Sequence, residues 1–553
     1  MKRTILVFLG IVAVGILGAQ LPQWLWAAGA GGLSADECYG VAHDASGNTY
    51  ITGKFIYSAS FGDIQLTSNG NGDIFVAKYD TEGQAVWAVN AGGAENDCGY
   101  SLTLDPRGYI YVTGCFSGNA SFGNFTLQAI AENAVFVGCL DAQGNWLWAV
   151  KGDGYSVDTI TPKRLALSDD ADYLYACGEF SGHATFGGNA LTSVGNKDIW
   201  VAKLDLTGNW LWATQAGGAG NDGAKTLAFT AGGGLVTGGY ITGTAYFGSI
   251  ALTGPAVANG FVAWLSPAGQ WETALRLSSN ANSVCNDLDL DSQDNIYMAG
   301  DFRYDLECGG HQFAGDWQDI FIARINGASR SFEWVQTAFG PKDQHSAAVA
   351  VTPQDQIYWA GYFLISVQFG MFQLTFVSSA DIFLVRLDPS GDYHMALHAG
   401  NICDDLPQDM AVDTSGNVYL AGYYTGDMYF GDFYLPFHDD EQIFAAKLHE
   451  TVPLADDVNV APATVVSNYP NPFSGQTVLR YSLKDAAAKT ELSIYNLRGQ
   501  KIRRFDRVSG TAGEHEIVWD GKDQSGRKIP PGIYFCRLTT PAGTLTRRMI
   551  MLD

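Results

Sequence analysis

A chain of 553 residues has room for two to four ordinary domains, or for one repeat-built domain and a smaller companion. Its 32 Lys and Arg against 57 Asp and Glu give a net charge of −25, which excludes a nucleic-acid partner, because displacing counterions from a polyanion takes a basic surface. The 66 glycines, the rich aromatic content and the absence of a sustained 3.6-residue apolar period exclude long helices and predict short strands joined by tight turns.

The N-terminus, MKRTILVFLGIVAVGILGAQ, places Lys2 and Arg3 before a short apolar run that ends in the small residues Gly18 and Ala19. This is the pattern of a secretory signal peptide over residues 1–19, and the run is short for a membrane span. No other segment is apolar enough to cross a bilayer as a helix, so the mature chain is expected outside the cytoplasm without a stable transmembrane segment.

WLWAAGAGG follows at 24–32 and returns as WLWAVKGDG at 146–154 and WLWATQAGG at 210–218. Aligned on its central position, the column reads Trp26, Trp87, Trp148, Trp212, Thr273, Trp334 and Met395, at steps of 61 with a single step of 64. A second column, Phe61, Phe122, Phe186, Phe247, Cys308, Phe369 and Phe430, has steps of the same sizes, with its single step of 64 from Phe122 to Phe186 overlapping that from Trp148 to Trp212. Two independent markers over seven copies define a repeat.

Each copy parses into four strands: in the first, YGVAHD, TYITGKF, DIFVAKYD and AVWAVNAGG, separated by turns rich in Gly, Asn and Asp. Four strands per unit predict an all-β fold, a seven-bladed β-propeller over 22–450. The last copy stops at TVPLADD without a Trp strand. If the ring closes, residues 24–32 supply that strand from the other end of the chain. A solenoid would leave it as an exposed edge. The units resemble the seven-bladed propeller repeats of bacterial secreted proteins, a likeness that implies fold and leaves function open.

Chemistry-bearing columns follow from the same register. The loops after the Trp strands carry Asp36, Asp97, Asp158, Asp222, Ser283, Gln344 and Asp405. Five carboxylates around one mouth would suit a Ca²⁺ ion; alternatively each Asp accepts backbone N–H groups within its own turn. The innermost strands carry small residues, Ala42, Thr103, Ala166, Ala228, Asp289, Ala350 and Ala411, so Asp289 breaks the column as His43 breaks the apolar one beside it. Each is either locally satisfied or marks a site. DLDLDSQDN at 287–295 lacks the EF-hand spacing, and no H-E-x-x-H, G-x-S-x-G or P-loop occurs. Of nine Cys, Cys115, Cys139 and Cys177 fall in predicted strands as buried thiols, whereas Cys38, Cys98, Cys285 and Cys403 are expected in loops, where a disulfide among them is open.

Past residue 460 the charge changes sign, with 14 Lys and Arg against 8 Asp and Glu from Pro462 to Asp553. An acidic linker at 451–467 leads to NYPNPF, from Asn468 and Tyr469 through Pro470, Asn471 and Pro472 to Phe473, and then to strands typical of a small β-sandwich over 468–553. With Tyr495–Gly499, Trp519, Asp520, Gly521, Gly532, Tyr534 and the closing RRMIML, this block resembles the type A sorting domain of the type IX secretion system, an Ig-like fold akin to the flagellar hook-capping family. The resemblance implies export across the outer membrane and contact with its secretion machinery, for which Arg503, Arg504, Arg507, Arg547 and Arg548 offer a basic stripe. The expected protein is a monomeric, secreted or surface-displayed platform for an extracellular protein or glycan. A secreted lyase or hydrolase using the propeller mouth, and an adhesin using its outer loops, are the alternatives.

Overall fold

The computed structural model describes residues 22–401, 403–437 and 440–450 and, toward the C-terminus, 466–469, 473–483, 490–496, 500–505, 508–511, 513–530, 532–540 and 543–552. The expected leader at 1–19 lies outside the described residues, as does most of the expected linker. Every named element is a strand. The chain divides into two compact units, one over 20–451 and the other containing the residues from 452 onward.

In the first unit a four-stranded antiparallel meander recurs. Glu37–His43, Thr49–Phe55, Asp73–Tyr79 and Ala85–Gly93 pair in chain order, and the later copies repeat that path. Asx turns tie the hairpins: the Asp44 carboxylate accepts the N–H groups of Ser46 and Asn48 at 2.9 and 3.0 Å, and Asp80 does the same for Glu82 and Gln84 at 3.0 and 2.8 Å. Gly47 and Gly83, at φ +83° and +80°, supply the left-handed residue of these turns.

The last copy holds Asp405–Val412, Asn417–Tyr424 and Gln442–His449, and its fourth strand is Gln23–Gly31, paired antiparallel from Gln23 opposite His449 to Ala30 opposite Ile443. Among the described strands no sheet closes on itself. The sheets instead stand side by side through their first strands. Glu37–His43 packs against Cys98–Leu104 on one side and Asp405–Val412 on the other, and the first strands of the other copies follow in sequence between them. Apolar layers fill the spaces between sheets, each built from two neighbouring copies.

The W-L-W motif is explained by its pairing. In a regular strand, residues two apart share a face. Here the ladder skips a residue between Trp24 and Trp26, and likewise between Trp146 and Trp148, and the intervening Leu25 and Leu147 stand exposed. That bulge turns the two indoles to opposite faces. Trp146 packs on Phe122 of the preceding layer at 5.2 Å, while Trp148 joins the following layer and donates through Nε1 to Leu206 O at 3.2 Å. A copy that carries the motif is therefore riveted to both neighbours.

In the C-terminal unit, Val466–Tyr469, Thr477–Leu483 and Gly513–Trp519 form one sheet, and Phe473–Ser474, Gly543–Leu552, Gly532–Thr540, Glu491–Asn496 and Lys501–Arg504 form the other. Leu479, Tyr481 and Trp519 from the first meet Leu492, Ile494, Cys536 and Met549 from the second in one core. The cysteine expectation needs correcting. Cys38, Cys98 and Cys285 lie within strands, not loops, and all nine thiols are free, eight of them buried. Their alternation with other apolar positions puts them in the core, where a thiol packs as a small hydrophobe.

Candidate functional site

A glycine column determines the inner edge of every copy. Gly53, Gly114, Gly178, Gly239, Gly300, Gly361 and Gly422 sit in second strands. A Cβ on any of them would collide with a first-strand carbonyl, those of Glu37, Cys98, Thr161, Gly223, Val284, His345 and Leu406 respectively. The carbonyls come so close because each first strand bulges opposite its glycine. The ladder passes from Cys38 to Gly40, from Gly99 to Ser101, from Pro162 to Arg164, from Ala224 to Thr226, from Cys285 to Asp287, from Ser346 to Ala348 and from Pro407 to Asp409. One residue per copy is left out of the pairing: Tyr39, Tyr100, Lys163, Lys225, Asn286, Ala347 and Gln408.

A bulge re-aims its extra side chain, and these seven meet around one cavity of about 240 Å³. The backbone repeats seven times; the side chains do not. Tyr39 and Tyr100 stand with ring centroids 5.4 Å apart, and the Lys163 ammonium lies 5.3 Å from the Tyr100 ring. Lys225 donates to Asn286 Oδ1 at 2.7 Å, and Asn286 Nδ2 donates to Ser346 O at 2.9 Å. Burial holds the Lys225 ammonium below its ordinary pKa; Asp301 works against that and Lys163 adds to it. The acids nearby are engaged. Glu179 takes Lys197 at 2.6 Å and Tyr240 Oη at 2.8 Å, while Asp301 takes His345 Nδ1 at 2.6 Å and Ser346 N at 2.8 Å.

One step along the first strands, an ion pair spans the space between non-neighbouring copies. Arg164 Nη1 lies 2.7 Å from Asp409 Oδ1, and the other Asp409 oxygen accepts Val41 N at 2.9 Å. The charges of Asp409 and, further off, Asp287 hold the Arg164 guanidinium above its ordinary range. Asp287 bridges copies as well, taking Thr226 Oγ1 at 2.6 Å and Val349 N at 3.0 Å. Arg164 also lines a larger cavity of about 640 Å³, with acidic Asp169, Asp289, Asp291 and Asp294 in its wall.

Asp289 faces that larger cavity, with its oxygens accepting Val351 N at 2.8 Å and Leu290 N at 2.9 Å; burial raises its carboxyl to about 6. His43 stacks on Tyr419 at 4.9 Å, with Nε2 3.0 Å from Val412 O and Nδ1 3.2 Å from Asp44 O. The acid column is buried, and three of its members tie their own loop to the loop that follows the second strand. Asp36 accepts Gly32 N and Ile56 N at 2.6 and 2.9 Å; Asp97 accepts Gly93 N and Ser117 N at 2.6 and 3.0 Å; Asp222 accepts Gly218 N and Thr242 N at 2.7 and 2.8 Å. Asp158 accepts Tyr155 N at 2.8 Å and Asp405 accepts Asn401 N at 2.9 Å. Burial raises Asp36 to about 7, Asp97 and Asp222 to about 6 and Asp405 to about 8. Among the described residues, no three His, Cys, Asp or Glu gather as a metal would require.

Of the C-terminal motif, Pro470, Asn471 and Pro472 lie outside the described residues. Asn468 and Tyr469 end the strand Val466–Tyr469, and Phe473 begins a two-residue strand beside Met551. Trp519 is fully buried, stacks edge-on to Tyr534 at 5.8 Å and donates to Lys522 O at 3.0 Å. Asp520 pairs with Lys522 at 3.1 Å, Gly521 holds φ +64° against Met551, Gly532 opens the strand Gly532–Thr540, and Tyr534 Oη donates to Pro530 O at 2.6 Å.

The bulge ring escaped sequence reasoning, which followed the small column three residues further on in the strand. The legible signal was the glycine in ITGKF, VTGCF and MAGDF, which recurs in every copy and demands close backbone approach.

Residues 469–543 match the family described as FlgD Ig-like domain. An uncharacterized WD repeat-containing protein, L264 of Acanthamoeba polyphaga mimivirus, is 30% identical over 158 residues, 26% of this chain and 11% of the viral protein. The chain thus spans only a small part of that curated relative. Similar solved structures include a fungal alcohol oxidase of the AA5 family in complex with copper (12% identity, 97% of this chain and 100% of that one, TM-score 0.39). They also include PorZ, a surface component of the type IX secretion system of Porphyromonas gingivalis (13%, 95% and 75%, 0.24), and the Dos1 propeller (11%, 95% and 96%, 0.29). At those scores the likenesses carry no argument about this chain. No helix among the described residues is long and apolar enough to cross a membrane.

Proposed function

We propose that this is a bacterial protein exported to the cell surface or released. In this reading its repeats close into a seven-bladed β-propeller, and the propeller serves as a non-catalytic binding or structural platform delivered by the C-terminal Ig-like domain. The pairing of Gln23–Gly31 with Gln442–His449 supports closure, since it joins the two ends of the repeat array. The observation that carries the platform reading is the ring of bulge residues: one backbone device used seven times presents two Tyr, two Lys, two amides and an Ala. Structural need alone would repeat one residue type. An enzyme working in the larger cavity would draw on Asp289, whose two oxygens are already engaged by backbone N–H groups, so the binding reading is preferred. The match over 469–543 supports an Ig-like delivery module.

Two experiments test the parts separately. Deleting residues 24–32 is expected to lower the thermal midpoint sharply; an unchanged midpoint removes the closure. Removing 468–553 is expected to abolish appearance outside the outer membrane of the native host, and undiminished export removes the sorting role.

A further inference from the structure

We infer that the bulge-ring cavity binds a single acid sugar, the carboxylate-bearing end group of a glycan, with Lys163 and Lys225 on the carboxylate and the Tyr39–Tyr100 wall against the sugar ring. The inference rests on the platform reading and names its ligand. Four observations lead to it. The cavity, at about 240 Å³, falls below the ~300–1,000 Å³ of pockets for drug-sized ligands, which limits the occupant to about one ring. Its wall joins aromatic faces to cations, and a sugar acid presents an apolar C–H face beside a charged edge.

Neither ammonium group is in direct contact with a carboxylate, although the charge of Glu179 reaches both and that of Asp301 reaches Lys225. Lys225 is held by a neutral amide and Lys163 lies over a π face, while Glu179 and Asp301 are spent on Lys197 and His345. A bound carboxylate would supply a countercharge in direct contact with both ammonium groups in a partly desolvated site. Finally, the net charge of −25 repels extended polyanions, so a lone carboxylate on a neutral chain enters where a sulfated or phosphorylated polymer does not. The Tyr100 hydroxyl lies 3.9 Å from Cys115 Sγ, so it is engaged within the fold.

The full chain is titrated calorimetrically with glucuronic acid, galacturonic acid and N-acetylneuraminic acid, with glucose, galactose and N-acetylglucosamine, and with acetate, inorganic phosphate and a short peptide carrying a free α-carboxylate. At least one acid sugar is expected to bind one-to-one, tenfold or more tighter than its neutral counterpart and than acetate. Lys163→Ala and Lys225→Ala should each weaken it at least tenfold, and Tyr39→Ala should do likewise, while Lys163→Arg retains most of the affinity. Thermal midpoints of the variants report folding; should Lys225→Ala lose its fold, Lys163→Ala, at a half-exposed position, decides alone. Equal affinity for acid and neutral sugars, indifference to the lysine variants, preference for the peptide or phosphate, or no binding of any acid sugar overturns the assignment. A glycan and protein array read with the parent and Lys163→Ala separates the two levels. Lysine-dependent capture of another ligand class removes the acid sugar and keeps the platform, whereas no lysine-dependent ligand removes both.

Discussion

Gly300 illustrates how little freedom a single residue has in this fold. Its Cα faces the carbonyl of Val284 across the bulge, so Gly300→Ala must push the first strand away or flatten the bulge. Overpacking of this kind costs about 1–3 kcal/mol, and a lowered thermal midpoint should report it; a midpoint equal to the parent's would mean that the bulge does not need the glycine. Asp405 is a second test at this scale. Burial raises its carboxyl to about 8 against the hydrogen bond from Asn401, with the charge of Asp381 adding to the rise. Asp405→Asn keeps an oxygen for Asn401 N and has no proton to lose. Its melting point should exceed the parent's at pH 9 and approach it at pH 5, and the same difference at both values would rule out the carboxyl as the source.

At the scale of the element, the bulge in the W-L-W strand makes a register prediction. Leu147 is unpaired and exposed. Deleting it leaves Trp146 and Trp148 adjacent in a regular ladder, still on opposite faces. Deleting Val150, opposite Val137, instead slips the rest of the strand by one and reverses its faces. The first deletion should yield a cooperative fold with a modest loss, and the second an aggregating chain; comparable damage from both would show that the bulge serves some other purpose. Cys38, Cys98 and Cys285 belong at this scale as well. Turn residues alone leave these cysteines in loops, because their strands begin at Glu37, Cys98 and Ser283 on backbone pairing that local composition does not display.

For the whole molecule, the carboxylates set a pH profile with opposing limbs. Asp36, Asp97, Asp222 and Asp405 have raised values in the folded state, so their contribution is fully present below the unfolded carboxyl pKa of about 4 and is lost as pH rises through about 6 to 8. The turn residues Asp44, Asp291 and Asp413 run the other way. Burial opposes their ionised form, but hydrogen bonds led by Asn48, Asn295 and Asn417 hold them below the ordinary range, and their contribution disappears as pH falls through it. Thermal stability is therefore expected to peak at about pH 4–5, and a midpoint that climbs steadily from pH 5 to 9 would contradict the burial of the acid column. The Arg164–Asp409 pair acts across copies. Arg164→Met leaves Asp409 near Asp287 with no cation between them, a loss of about 3 kcal/mol, measurable as a lower denaturant midpoint that Asp409→Asn should partly restore in the double variant.

The sequence by itself determined the repeat. Spacing of Trp and Phe-Gly, turn chemistry and period-two alternation are local quantities, so the all-β character, the four strands per copy and the incomplete last copy are legible in the sequence. The acid column was legible as well, but not its setting: whether five aspartates converge on an ion or take up backbone N–H groups of their own and a neighbouring loop depends on N–H positions that recurrence cannot specify. The bulge ring was decided only by tertiary structure. Tyr39, Lys163 and Gln408 share a column but no chemistry, and nothing in their own neighbourhoods says that a glycine across the ladder throws each of them out of register and toward the same cavity. Side chains separated by some 60 residues become neighbours only when the backbones of all the copies are packed together.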